Sequence, residues 1–208
     1  MPRVARARRA APRSDQAPGE YDVVAVGAST GGIHALSQML RAIPPSFQAP
    51  ILVTQHLPAS FMSYFAAQLA VLAGRACEVA TDHMRVRPGR MLVAPGDAHI
   101  RCVRTPDGFA IRLSHEPVAS GCMPSVDPML ESVADLFGPR GLGVVLSGMG
   151  RDGAVGAQRL IDAGGSVIAQ DKASSVVWGM PGAIAGNASA VLPPDEIGRM
   201  IASNRRPG

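Results

Sequence analysis

The sequence predicts an α/β fold: a doubly wound, mostly parallel sheet with helices on both faces and an antiparallel hairpin near one edge. Three observations carry this. Short, wholly apolar runs recur, as expected of parallel strands buried on both faces. Helical periodicity or a helix-starting turn follows most of them, and alternating strands and helices imply parallel pairing. Between these runs, residues 75–113 break into short pieces separated by proline–glycine–aspartate turn signals, as a hairpin would.

Taken in order, Val23 to Val26 reads as the first strand. The turn Gly27-Ala28-Ser29-Thr30-Gly31-Gly32 follows, then a helix with Ile33, Leu36, Met39 and Leu40 on one face. Pro44-Pro45 breaks the chain before a second strand, Ile51 to Thr54. Pro58 bars that strand from continuing and leaves His56 at its carboxyl end. Ser60 precedes a helix carrying Phe61, Tyr64, Phe65, Leu69 and Leu72, closed by Gly74. Short strands are expected at Cys77 to Ala80, Met91 to Ala94, His99 to Val103 and Phe109 to Leu113, although Val103 breaks the alternation of its segment. A loop from Ser114 to Pro124 leads to a helix over Val126 to Phe137, with Ser125 as N-cap. Leu142 to Leu146 is a third buried strand. A second glycine-rich turn, Ser147 to Gly153, opens a helix over Ala154 to Ala163, and Gly165 to Ala169 is a fourth strand. Pro181 to Asn204 reads as a short helix, a strand at Ala190 to Leu192 and a closing helix.

The 208 residues, 47% hydrophobic and 17% charged, are enough for one sizeable core plus a tail. The formal net charge of +4 is concentrated in residues 1–20, where Arg3, Arg6, Arg8, Arg9 and Arg13 face only Asp15 and Glu20. That segment is expected to be a disordered basic tail, and residues 21–204 a single catalytic domain. The near-neutral, aromatic-poor remainder is a poor nucleic-acid platform. No apolar run is long enough to span a membrane, and the N-terminus lacks a secretory pattern. Cys77, Cys102 and Cys122 form no CxxC pair, and the five histidines show no HExxH-type spacing. A reducing compartment is therefore expected, with neither a disulfide frame nor a metal site.

The chemistry of the chain is expected at the carboxyl ends of its strands, where open parallel sheets gather ligands. Three buried strands each deliver one reactive side chain to that edge: Ser29, His56 and Asp152. Gly27-x-Ser29-x-Gly31 matches a nucleophile elbow, whereas the GxGxxG and GxxxxGK[ST] phosphate fingerprints fail. A hydrolytic serine needs a base to take its proton and a carboxylate to orient that base. Unpaired backbone N–H groups at the helix start beside Ser29 offer a ready site for a developing oxyanion. Singly, each feature has a plainer reading: a phosphate-binding or merely structural turn, a packing histidine, a helix-capping aspartate. His34 and Asp171 are the alternative base and orienter. The order Ser, His, Asp also differs from the Ser, acid, His order of the α/β-hydrolases. A binding module holding a nucleotide or protein on its glycine turns is the rival from another class.

The blocks VVAVGASTGG, VTQHLPASF, VAPGDAHI, PSVDPMLESVA, VLSGMGRDGAVG and IAQDKASSVVWGMPGAI, in that order, resemble the catalytic domain of the CheB-type chemotaxis protein-glutamate methylesterases over about Tyr21 to Leu192. The resemblance implies a cytoplasmic bacterial enzyme that demethylates glutamate γ-methyl esters on chemoreceptor cytoplasmic helices and releases methanol. Deamidation of receptor glutamines is a second activity it implies. It makes Ser29 the nucleophile, His56 the base, Asp152 its partner and the Met149 N–H an oxyanion donor, with Thr30 lining the same pocket. No metal or organic cofactor is implied, nor any nucleic-acid partner or membrane insertion. Two departures stand out. Family members carry an N-terminal receiver domain where this chain has its basic tail, which points to a separate regulatory protein, constitutive activity or a fragment. They also often carry basic residues just before PSVD, where this chain reads Ala119-Ser120-Gly121-Cys122-Met123. That bears on receptor contact and leaves an esterase acting on a non-chemotaxis receptor as an alternative.

Overall fold

The computed structural model describes residues 21–204, so the tail expected over residues 1–20 lies outside the described residues. Among the described residues nine strands form: β1 Val23–Ala28, β2 Ile51–Gln55, β3 Cys77–Val79, β4 Met91–Val93, β5 His99–Thr105, β6 Gly108–Ser114, β7 Gly141–Val145, β8 Ser166–Gln170 and β9 Ala190–Leu192. Six α-helices accompany them: α1 Gly32–Arg41, α2 Ala59–Ala73, α3 Val126–Phe137, α4 Ala154–Asp162, α5 Met180–Ile184 and α6 Pro194–Ser203.

Seven strands make one sheet in the order β3-β4-β2-β1-β7-β8-β9, and every pairing in it is parallel. Alternate residues of each strand feed opposite layers. Val24 and Val26 join Ile51, Val53 and Val144 against Leu36 and Met39 of α1, Phe65 of α2 and Ile197 of α6. Val23 and Ala25 join Leu52, Val145 and Val167 against Met129 and Val133 of α3, Leu160 of α4 and Met180 of α5. Two-sided burial is why these strands are continuous apolar runs rather than alternating ones. From β1 the chain winds outward through β2, and later returns to build β7, β8 and β9 on the other side. The winding direction thus reverses between β1 and β7, the place where a crevice opens in such sheets.

The expected antiparallel hairpin forms beside the main sheet. β5 and β6 pair antiparallel, from His99 opposite Ser114 to Thr105 opposite Gly108, and form a separate two-stranded sheet. Ile100, Cys102 and Ile111 bury against the same apolar cluster as α3, and the Cys102 N–H donates to Ser132 Oγ at 2.8 Å. β5 runs past Val103 because this pairing continues.

One helix face needs correction, that of α1, and the structure defines the face of α2. In α1 the buried side chains are Ala35, Leu36, Met39 and Leu40, and Ile33 is exposed. In α2 they are Met62, Phe65, Ala66, Leu69 and Ala73, while Phe61 and Tyr64 face outward. Ser60 lies inside α2, which starts after Pro58. Among the described residues no helix is long and apolar enough to cross a membrane.

Candidate active site

Ser29 stands one residue beyond β1, half-buried, on a turn whose Gly31 takes the left-handed conformation at φ 80° before α1 begins. Buried polar groups that end the neighbouring strands fix this elbow. Gln55, the last residue of β2, donates from Nε2 to the Ser29 carbonyl at 2.9 Å. Ser147, just past β7, accepts the Ser29 N–H on its carbonyl at 3.0 Å and donates its hydroxyl to the Thr30 carbonyl at 2.7 Å. Its own N–H is held by Gln170 Oε1, at the end of β8, at 2.7 Å. Gly148 lies so close that a Cβ there would sit 2.8 Å from Ser29 Cβ. Sequence reasoning missed Gln55, Ser147 and Gln170, although each shows the same signal as Ser29: a polar residue at the carboxyl end of an apolar run.

His56 follows β2 directly, and its N–H donates to the Ala28 carbonyl at 3.1 Å, which ties the histidine to the end of β1. Its ring meets Asp152, with Nε2 and Oδ2 2.8 Å apart. The imidazole side chain is 19% exposed and the carboxylate side chain 1%, so the pair is shielded on its acidic side and open on its basic side. Asp152 takes two further donors from the start of α3: the Ser125 hydroxyl at 2.6 Å on Oδ1 and the Val126 N–H at 2.8 Å on Oδ2. Burial alone would push its carboxyl upward. Hydrogen bonds from His56, Ser125, Val126 and Ser120 outweigh that and bring it down to about 2. A carboxylate in that state only accepts, so the facing Nε2 carries the ring proton and Nδ1 is left with the lone pair.

The structure therefore joins two of the three expected side chains directly. Ser29 and His56 line the same cleft of about 660 Å³ without a hydrogen bond between their side chains among the described residues. Thr30, Ile33, His34 and Tyr64 also line it. His34, the alternative base, also lines the cleft, but its ring is hydrogen-bonded to Gln38 at 3.0 Å. Asp171 is engaged with Ser174. One expected oxyanion donor needs correction: the Ser29 N–H is already taken by the Ser147 carbonyl. The Thr30 and Met149 N–H groups carry no partner among the described residues.

A serine on a strand-to-helix elbow shares a cleft with a His–Asp pair, at the point where the parallel sheet of a doubly wound α/β protein reverses its winding. Within that class the chain belongs to the CheB methylesterase family, whose model matches residues 24–201. It is 45% identical over 183 residues to the protein-glutamate methylesterase/protein-glutamine glutaminase of Azospirillum brasilense, covering 86% of this chain and 46% of that protein. A Caulobacter vibrioides protein named protein-glutamate methylesterase/protein-glutamine glutaminase 2 is 44% identical over 200 residues, covering 94% of this chain and 57% of that protein. The crystal structure of the Thermotoga maritima CheB methylesterase catalytic domain superimposes with a TM-score of 0.85 at 34% identity, covering 88% of this chain and 98% of that one. The chain spans about half the length of the curated relatives it matches.

Proposed function

We propose that residues 21–204 form a catalytic domain that hydrolyses glutamate γ-methyl esters on the cytoplasmic helices of bacterial chemoreceptors, with deamidation of receptor glutamines as a second activity. The observation that carries this reading is the His56–Asp152 pair, 2.8 Å apart, with Ser29 on the wall of the same cleft. Family membership supplies the substrate class. The exposed apolar side chains Ile33 and Tyr64, which line the cleft with Ser29 and His56, support a protein substrate, because apolar surface at a cleft favours a docking partner.

In this mechanism Ser29 Oγ attacks the ester carbonyl while His56 takes the hydroxyl proton at Nδ1. The Thr30 and Met149 N–H groups receive the oxyanion. His56 returns the proton to the departing methoxide, so methanol leaves and an acyl-serine remains. Water then gives a proton to His56 and adds to the acyl carbon. Return of that proton to Ser29 Oγ frees the glutamate carboxylate. Asp152 keeps its charge throughout and holds the ring with Nδ1 toward the serine.

The test is methanol release from methylated receptor membranes. Ser29→Ala should lower the rate on the order of 10⁶-fold. Release that survives Ser29→Ala within about tenfold would remove Ser29 from the reaction. Nucleotide binding by a protein that releases no methanol would favour a binding module instead. Release from methylated receptors of another pathway, and not from chemoreceptors, would redirect the substrate assignment.

A further inference from the structure

The loop before α3 brings a thiol to the His–Asp pair. Cys122 is half-buried, and donor atoms of His56, Cys122 and Asp152 all lie within 4.8 Å of one another. The three come from the end of β2, the segment before α3 and the turn after β7, so no short spacing in the sequence could announce the group.

We propose that His56, Cys122 and Asp152 form an inhibitory binding site for a thiophilic divalent cation of the Zn²⁺ type. One imidazole, one thiolate and one carboxylate suit Zn²⁺ and are unsuited to Mg²⁺ or Ca²⁺, which take oxygen ligands. Donors around one Zn²⁺ stand about 3.5 Å apart, given bonds of about 2.0–2.3 Å, so the 2.8 Å His56–Asp152 contact has to open slightly while the Cys122 sulfur moves inward by about 1 Å at most. Gly121, at φ 70°, and the partial exposure of Cys122 put the moving part on the loop rather than on the buried carboxylate. Cys122 and Asp152 line an open cleft of about 1060 Å³, which gives the ion a path from solvent.

Binding displaces the thiol proton to solvent and oxidises nothing. If Nε2 of His56 coordinates, its proton moves to Nδ1, which then no longer accepts. If Nδ1 coordinates, the lone pair itself is occupied. Either way the base is lost while the ion stays.

The site is tested with Co²⁺ and Zn²⁺ alone on the full chain. Wild type should give a sulfur-to-cobalt charge-transfer band that Zn²⁺ displaces. Cys122→Ser should abolish the band and weaken Zn²⁺ binding by roughly 100-fold, while His56→Gln should weaken it without affecting Cys122. In the methanol assay, Cys122→Ser should need roughly 100-fold more Zn²⁺ than wild type to halve its own rate. A cobalt spectrum or Zn²⁺ affinity unchanged by Cys122→Ser overturns the site. The spectroscopic result stands apart from the esterase reading, because it holds even for a protein that releases no methanol.

Discussion

At the scale of single residues, Asp152 does three jobs with one carboxylate. It orients His56, accepts the Ser125 hydroxyl and accepts the Val126 N–H at the start of α3. Ser125→Ala removes both that donor and the cap it offers to the Asp127 N–H, and should cost about 1–2 kcal/mol of stability in urea unfolding. Asp152 and nearby Asp127 titrate in opposite directions. The Asp152 carboxyl is depressed to about 2 from 3.8, so its stabilising contribution is complete above 3.8 and is lost as the pH falls toward 2. Asp127 is raised above 3.8, first by burial and then by the charge of Asp152, although the Gly156 N–H opposes this. Its ionisation therefore costs stability as the pH rises past 3.8. Measured across pH, wild type should gain stability relative to Asp152→Asn on leaving acid, and lose it relative to Asp127→Asn. The same sign for both variants would contradict this assignment. Part of this was legible from sequence. Ser125 was recognisable as an N-cap, and Asp152 as a helix-capping type beside α4. That Asp152 serves the start of α3 instead depends on contacts between distant segments, which no local pattern encodes.

At the scale of elements, the glycines set how closely the helices approach. A Cβ on Gly156 of α4 would lie 2.7 Å from both the Asp127 carbonyl and Leu130 Cβ of α3. Gly156→Ala should therefore push these helices apart and cost about 1–3 kcal/mol, read as a lower urea midpoint. The Asp22–Arg140 pair gives the contrast. It joins the starts of β1 and β7 with two hydrogen bonds of 2.6 and 2.7 Å, but both side chains are about a third exposed. Asp22→Ala should cost under about 1 kcal/mol, because water already screens the pair. The buried strands were readable because two-sided burial demands an unbroken apolar run. Periodicity groups Ile33 with Leu36, Met39 and Leu40, because it counts apolar residues without saying which of them borders a cleft. The hairpin was legible as a hairpin. Its seat against α3 was not, since that follows from side-chain burial across distant segments.

At the scale of the whole molecule, the order β3-β4-β2-β1-β7-β8-β9 places β1 between β2 and β7, and so places the residues that follow those three strands side by side. Ser29, His56 and Asp152 are separated in sequence by other helices and strands, yet neighbouring strands deliver all three to one edge. The polar residues Gln55, Ser147 and Gln170 at the same edge hold the elbow in place. If the three side chains act as one unit, their losses should not multiply. The most direct measurement is the rate of methanol release from methylated receptor membranes by Ser29→Ala, Asp152→Asn and the double variant. Ser29→Ala should lose on the order of 10⁶-fold and Asp152→Asn roughly 10⁴-fold, and the double variant should be no slower than Ser29→Ala alone. Losses that multiply in the double variant, or an Asp152→Asn rate within about tenfold of wild type, would contradict a shared catalytic unit.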